Sequence, residues 1–286
     1  MCQPGLGRTA LMTESIPAET EAPAPPAAEE NPAKKQDPFW VFLLKLVVIV
    51  LVFRTFIFTS FMIPSESMMP RLLVGDYLFA AKWPYGYSGA SLPIDWPGPH
   101  GRVFGSLPER GDVVIFKHPI DRVDYVKRVI GLPGDTVQMV AGQLVLNGTP
   151  VPKRRIADLV IPQAVSEPCR GTTERHADGE FFCRYERFRE TLPGGKTYEV
   201  LDLGIYDQDT TEPIVVPEDH VFMMGDNRDN SLDSRFPAEA ERGVGLVPVD
   251  NLAGRASFMF FSTSSSWGTP GSWLSGIRWS RMGKAI

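Results

Sequence analysis

The sequence predicts a mainly β fold, an antiparallel coiled β-sheet core carrying a smaller inserted subdomain, behind one transmembrane helix and a disordered N-terminal tail. Three observations lead there. The chain is apolar from Phe39 to Ile63, short β-branched runs broken by Gly and Pro follow, and no amphipathic helix longer than a few turns stands downstream. With 286 residues, 43% of them hydrophobic, the chain can fill one large core or two small ones, which excludes global disorder. A formal charge of -5, from 29 Lys and Arg against 34 Asp and Glu, argues against a surface built to neutralise phosphates, so nucleic acid is not an expected partner.

In chain order, residues 1–37 read as the tail. The run TESIPAETEAPAPPAAEENPAKKQD, residues 13–37, has almost no large apolar side chain to offset the entropy of ordering. Met1 and Met12 are both candidate starts. Residues 38–62 read as the anchor, because FWVFLLKLVVIVLVFRTFIFTSFMI (residues 39–63) exceeds the roughly 20 helical residues that cross a bilayer core. It is also longer than the ~7 to 15 residue apolar region of a cleavable signal peptide, and no small-x-small site closes it. Lys45 and Arg54 lie off-centre, where their stems reach toward the headgroups. Lys34 and Lys35 before the span, against the more distant Arg71 and Lys82 after it, favour an inward N-terminus.

Strands are expected at Val113 to Phe116, Asp124 to Ile130, Thr136 to Val140, Gln143 to Gly148 and His220 to Gly225, with turns at LPGD (Leu132 to Asp135) and NGTP (Asn147 to Pro150). The β core is assigned to residues 63–150 and 218–286. Residues 151–217, polar and weakly patterned, read as the inserted subdomain. The three cysteines, Cys2, Cys169 and Cys183, are too few for a disulfide scaffold and contain no CxxC zinc half-site, so no metal is expected; a Cys169 to Cys183 bridge stays open.

The search for chemistry begins with eliminations. His100, His118, His176 and His220 form no HExxH pair, and the chain has no GxSxG elbow, phosphate loop or GxGxxG after a strand. Three segments remain. IPSESMMPRLLVGDYL (Ile63 to Leu78) holds two serines in a Pro-bounded turn, where one hydroxyl is a candidate nucleophile and the other a hydrogen-bond donor beside it; serines in such loops are more commonly turn formers. In DYVKRVI, Lys127 shares a strand face with Tyr125 and Val129, while Arg128 lies on the opposite face. Burial of the Lys127 face, with Arg128 facing water, lowers the pKa of the amine and frees it to act as a base for serine, although a solvated strand lysine is the commoner case. MGDNRDNSLDSRFP (Met224 to Pro237) crowds carboxylates, amides and arginines that order one another into a tight loop.

Together PSESMMP (Pro64 to Pro70), GDYL (Gly75 to Leu78), RGDVVIFKHP (Arg110 to Pro119), DYVKRVIGLPGD (Asp124 to Asp135) and GDNRDNSLDSR (Gly225 to Arg235) resemble, in the same order, the bacterial type I signal peptidases. These are membrane-anchored Ser-Lys endopeptidases that remove signal peptides from exported preproteins. With the anchor and the run VPVDNLAGRA (Val247 to Ala256), the resemblance covers about two thirds of the chain. It implies Ser67 as nucleophile and Lys127 as general base, with Ser65 and the Ser67 N–H as oxyanion hole. Ser231 would position Lys127, and Asp233 with Arg235 would form a structural ion pair. Ile63, Pro64, Met68, Leu72, Tyr125 and Val126 match the pocket for the small residue before the cleaved bond. Phe61, Leu78, Val114 and Asp124 match its neighbour. Glu66 stands where many members have glycine, and Arg71 replaces a common threonine.

The resemblance further implies no cofactor, signal peptides and membrane lipids as partners, and a single-pass protein of the bacterial cytoplasmic membrane with its catalytic domain outside. WPYGY (Trp83 to Tyr87) and the aromatic-rich segment Phe258 to Trp279 are candidates for interfacial contact, since Trp and Tyr favour headgroup depth. Two alternatives stand beside it: another Ser-Lys protease of similar fold, such as a self-cleaving repressor or a pilin-maturation peptidase, and a catalytically silent membrane-anchored binding protein.

Overall fold

The computed structural model describes residues 38–92, 101–163, 168–177, 179–264 and 274–286. The expected tail, residues 1–37, and part of the aromatic C-terminal segment, residues 265–273, lie outside them. The chain divides into two compact units, Met1–Leu43 and Leu44–Ile286. In the first, Phe39 and Trp40 meet edge-on with ring centroids 5.5 Å apart as the helix begins.

The elements run α1 (Phe39–Phe56), β1 (Phe58–Met62), β2 (Asp76–Ala81), β3 (Val113–Lys117), β4 (Asp124–Gly131), β5 (Thr136–Val140), β6 (Gln143–Leu146), β7 (Thr149–Pro150), β8 (Lys153–Pro162), β9 (Thr172–Arg175), β10 (Phe181–Thr191), β11 (Thr197–Leu201), β12 (Ile214–Val215), β13 (His220–Met224), β14 (Val247–Pro248) and β15 (Leu252–Ser262). α1, of 18 residues with mean hydropathy 2.3 and no buried residue, is long and apolar enough to cross a membrane. Its ~27 Å length, at about 1.5 Å per residue, is close to a hydrocarbon core. The helix is shorter than the predicted span. It ends at Phe56, and Phe58–Met62 is an edge strand pairing with β2 from Phe58↔Ala81 to Met62↔Tyr77. The apolar run does not break between the two, but FTSFM is aromatic and hydroxyl-bearing in the manner of a strand.

The main sheet has seven strands in the order β1-β2-β15-β3-β4-β13-β14, all pairs antiparallel. A second sheet orders β11-β10-β8, with β9 also on β10, and a third orders β12-β5-β6-β7. The polar segment after Val151 therefore forms strands of up to 11 residues. Their weak sequence pattern has a cause: β8 is exposed or half-buried along its length, so few positions select for apolar side chains.

The turns follow local chemistry. Asn147 and Gly148 both have positive φ (51° and 74°), as the two-residue loop joining β6 to β7 requires. In LPGD, the Asp135 N–H donates to the Leu132 carbonyl at 3.0 Å with Gly134 at φ 84°, a turn that places Gly at its third position. Two apolar clusters flank the central strands. Ile63, Met68, Leu72, Leu78, Val113, Ile115 and Val126 belong to one, and Val114, Phe116, Val129, Val221 and Met223 to the other. From Val126 onward β4 thus lies buried between two packed layers.

Candidate active site

Ser67 follows Glu66 in a single 3-10 turn, Glu66–Met68, entered through the extended residue Ser65. The turn is short because Pro64 and Pro70 bracket it, and a proline cannot continue a helix past its own first turn. Met68 and Leu72, both fully buried, root it in the apolar cluster beneath. This leaves the Ser67 hydroxyl facing β4. There Lys127, 60 residues away in sequence, places its Nζ 2.7 Å from Ser67 Oγ. Ser65 Oγ stands 3.3 Å from Ser67 Oγ.

Lys127 is 3% exposed, and among the described residues its ammonium has no carboxylate within ion-pair distance. Burial lowers its pKa from 10.5 to about 8, against the opposing pull of the Asp233 and Asp226 charges. The aromatic face of Tyr125, 5.8 Å from Nζ, is its other neighbour on that side of the strand.

The loop that starts at Gly225 closes over the turn. The Asn227 N–H donates to the Ser67 carbonyl at 3.1 Å, and the Asn227 side-chain amide donates to the Glu66 carbonyl at 3.2 Å. Approach this close demands glycine at 225. A Cβ there would sit 2.5 Å from the Ser67 carbonyl oxygen and 2.2 Å from Ser231 Oγ. Behind the loop, Arg235 Nε and Asp233 Oδ1 pair at 2.9 Å with both side chains buried, and Asp233 also accepts the Gly225 N–H at 3.0 Å. Burial works against the Asp233 charge, but Arg235 outweighs it and holds the carboxyl below its ordinary value.

Pro64, Ser65, Ser67, Asp124, Tyr125, Val126, Lys127 and Ser231 line one cleft of about 700 Å³. Other residues named from sequence lie elsewhere. Ile63, Met68, Leu72 and Leu78, with Phe61 against them, form the apolar cluster behind the cleft wall, and Val114 belongs to the cluster of Phe116 and Val129. Ser231 borders the cleft, yet among the described residues its buried hydroxyl has no hydrogen-bond partner, Lys127 included. Among the described residues, the lysine's one hydrogen-bonding contact is with Ser67.

The largest correction concerns Arg128, expected on a solvent face. It is 6% exposed and forms a fork with Asp226, Nε to Oδ1 at 2.7 Å and Nη2 to Oδ2 at 2.6 Å. Asp226 sits in the same loop that closes the site, so the second face of β4 is covered as well as the first.

Val123, Arg170, Gln208, Asp229, Asn230, Leu232, Phe236 and Arg242 also line the cleft and were not assigned site roles from sequence. Asp229 and Asn230 fall within the crowded polar run, which is the signal that points to them. Arg170 has no local signal. It enters because Cys169 and Cys183 are joined, with their Cα atoms 5.5 Å apart, which ties Cys169, the residue before it, to β10. The arrangement supplies a serine hydroxyl, an amine with a depressed pKa beside it, and a further hydroxyl near the reacting oxygen, the parts that acyl transfer requires.

The sequence pattern of the family described as signal peptidase, peptidase S26 matches residues 38–261. The chain belongs to the signal peptidase family. It is a serine peptidase. Signal peptidase I of Rickettsia typhi is 38% identical over 232 residues, covering 78% of this chain and 79% of that protein. Signal peptidase I of Rickettsia bellii is 37% identical over 250 residues, covering 84% and 78%. A crystal structure of a signal peptidase I from Enterococcus faecalis is 24% identical, covers 53% of this chain and 98% of that one, and aligns with a TM-score of 0.29.

Proposed function

We propose that this peptidase removes N-terminal signal peptides from exported preproteins, cutting after a small-x-small motif by a Ser67–Lys127 dyad. The observation that carries the reading is the 2.7 Å contact between an alcohol and a buried amine whose pKa is lowered to about 8. Neutral Lys127 takes the Ser67 proton as Oγ bonds to the scissile carbonyl carbon. The carbonyl oxygen, now an oxyanion, is met by the Ser65 hydroxyl and the Ser67 N–H. Collapse breaks the C–N bond, and the leaving amine takes the proton that Lys127 holds. A water, deprotonated in turn by Lys127, attacks the acyl ester and frees Ser67.

The small residue before the cut is assigned to the side walled by Pro64, Tyr125 and Val126 and backed by Ile63, Met68 and Leu72. Its neighbour is assigned to Phe61, Leu78, Val114 and Asp124. Ser231 supports the floor of the loop. Asp233 and Arg235 hold that loop in register.

Such a substrate has its apolar segment in the bilayer, so the site must work at the membrane surface. α1 is the anchor in this reading, in the bacterial cytoplasmic membrane with the catalytic side outward. The aromatic face formed by Phe58, Phe79, Trp83 and Phe258 meets the headgroups, with Phe58 and Trp83 centroids 5.0 Å apart and Trp83 half-exposed. Ser67→Ala and Lys127→Ala are each expected to lower preprotein cleavage in detergent by at least about a thousandfold. Turnover at the unmodified rate by either variant removes the assignment.

A further inference from the structure

Glu66 is held in place more firmly than its position in a surface turn requires. Its carboxylate accepts a hydrogen bond from the Asn230 side-chain amide at 2.9 Å, in addition to the bond its carbonyl accepts from Asn227. The nucleophile turn is thus fastened to the loop carrying Asp226 and Ser231 through the residue directly before Ser67. Arg170 Nε lies 3.9 Å from the same carboxylate oxygen. The two partners differ in freedom: the Glu66 side chain is 16% exposed and the Arg170 side chain 56%. Arg170 is set there by the neighbouring Cys169–Cys183 bridge.

Both Arg170 and Asn230 line the same cleft as Ser67, Tyr125 and Val126, and Glu66 contacts both of them. With the small side chain of the acyl group against Tyr125 and Val126, the polar residues of the same cleft are left to the leaving amine and the residues after it. We propose that Glu66 is a positioning residue for Ser67 and, with Arg170, reads the charge of the first residues following the cleaved bond. The proposal rests on the assignment of Ser67 as nucleophile. The fixed carboxylate favours a basic residue there and disfavours an acidic one. Arg170, on its longer and freer arm, offsets part of that field.

The test uses the full chain in detergent with two preproteins that differ only in carrying Lys or Asp immediately after the cleaved bond, at low and high salt. Glu66→Gln keeps an oxygen for the Asn230 amide and removes the charge. It is expected to lower the Lys-to-Asp ratio of kcat/KM by about fivefold, the discrimination that one partly exposed charge supplies. Arg170→Gln is expected to raise the same ratio by a similar factor, and the double variant to return it toward the starting value. Both shifts should shrink at high salt. Glu66→Gly, which also loses the Asn230 bond, should lower kcat with both substrates, and Glu66→Gln should recover that part.

Ratios unchanged within twofold in both single variants, or shifted in the same direction by both, overturn the proposal. Should Glu66→Gln fail to fold, the exposed Arg170 side chain still allows the measurement. Ser67→Ala is run beside each variant. Cleavage that persists in Ser67→Ala defeats the nucleophile assignment, whereas silence there with unmoved ratios defeats only the charge-reading role.

Discussion

Lys127 and Arg128 are consecutive residues of β4 that point to opposite faces, and both are almost completely buried. Arg128 is answered by a carboxylate fork from Asp226 and donates a further hydrogen bond to the Gly111 carbonyl at 2.7 Å. Lys127 is answered by a neutral hydroxyl and the face of a ring. Burial opposes both charges. On Arg128 the Asp226 charge and hydrogen bonds prevail and hold the guanidinium above its ordinary value, while on Lys127 burial prevails and brings the amine to about 8. Equal burial therefore yields a structural cation on one face and a candidate base on the other. The difference lies in what the closing loop presents to each.

The contrast is broken most severely by removing the carboxylate that Arg128 relies on. Asp226→Ala leaves a buried guanidinium without its counter-charge and is expected to cost about 3 to 5 kcal/mol of stability, read from denaturant unfolding of the solubilised protein. A loss below about 1 kcal/mol would mean that Arg128 escapes to water and that its burial is not what separates it from Lys127.

The opposite change on the other face should stabilise. Because the folded-state pKa of Lys127 lies below its unfolded value of 10.5, folding buries the charge below about pH 8 and strips a proton between about 8 and 10.5. The unfolded chain binds more protons between those limits, so the penalty is full below pH 8 and disappears as pH rises through 10.5. Lys127→Met is accordingly expected to be more stable than the parent by up to about 3 kcal/mol at neutral pH, with the gap closing in strong alkali, while losing cleavage. A variant less stable than the parent at pH 7 would show that the amine is not paying a desolvation penalty.

The smallest effect sharpens the same point. Cleavage by the intact chain should fall about tenfold for each pH unit below the Lys127 midpoint near 8, as the amine becomes charged. Glu66→Gln should leave that midpoint within about half a unit, since the carboxylates that act on Lys127 are Asp233 and Asp226. A rate that stays level into strong acid removes lysine as the base.

Much of this was legible residue by residue. Period-two alternation in DYVKRVI separated Lys127 from Arg128, and β-branched runs located β3, β4, β5, β6 and β13 to within one or two residues. The crowding of Asp, Asn and Arg after Met224 marked the loop that orders the site. The end of α1 was hidden because Phe58–Met62 continues the apolar run, and β8 because it has no buried residue to impose an alternation. Arg170 was invisible because no pattern near it refers to Ser67.

Local side-chain chemistry, then, determined on its own the apolar helix, the strands β3 to β6 and β13 and the turns beside them, and it put forward the hydroxyls and the amine as candidates, since these depend on neighbours a few positions away. Tertiary structure alone decided that Lys127 reaches Ser67 across 60 positions, that Arg128 finds Asp226 across 98, and that Ser231 stays unbonded. The physical reason is that a pKa is set by desolvation and counter-charge, and both are properties of what the folded chain brings near a group, whatever its distance along the sequence.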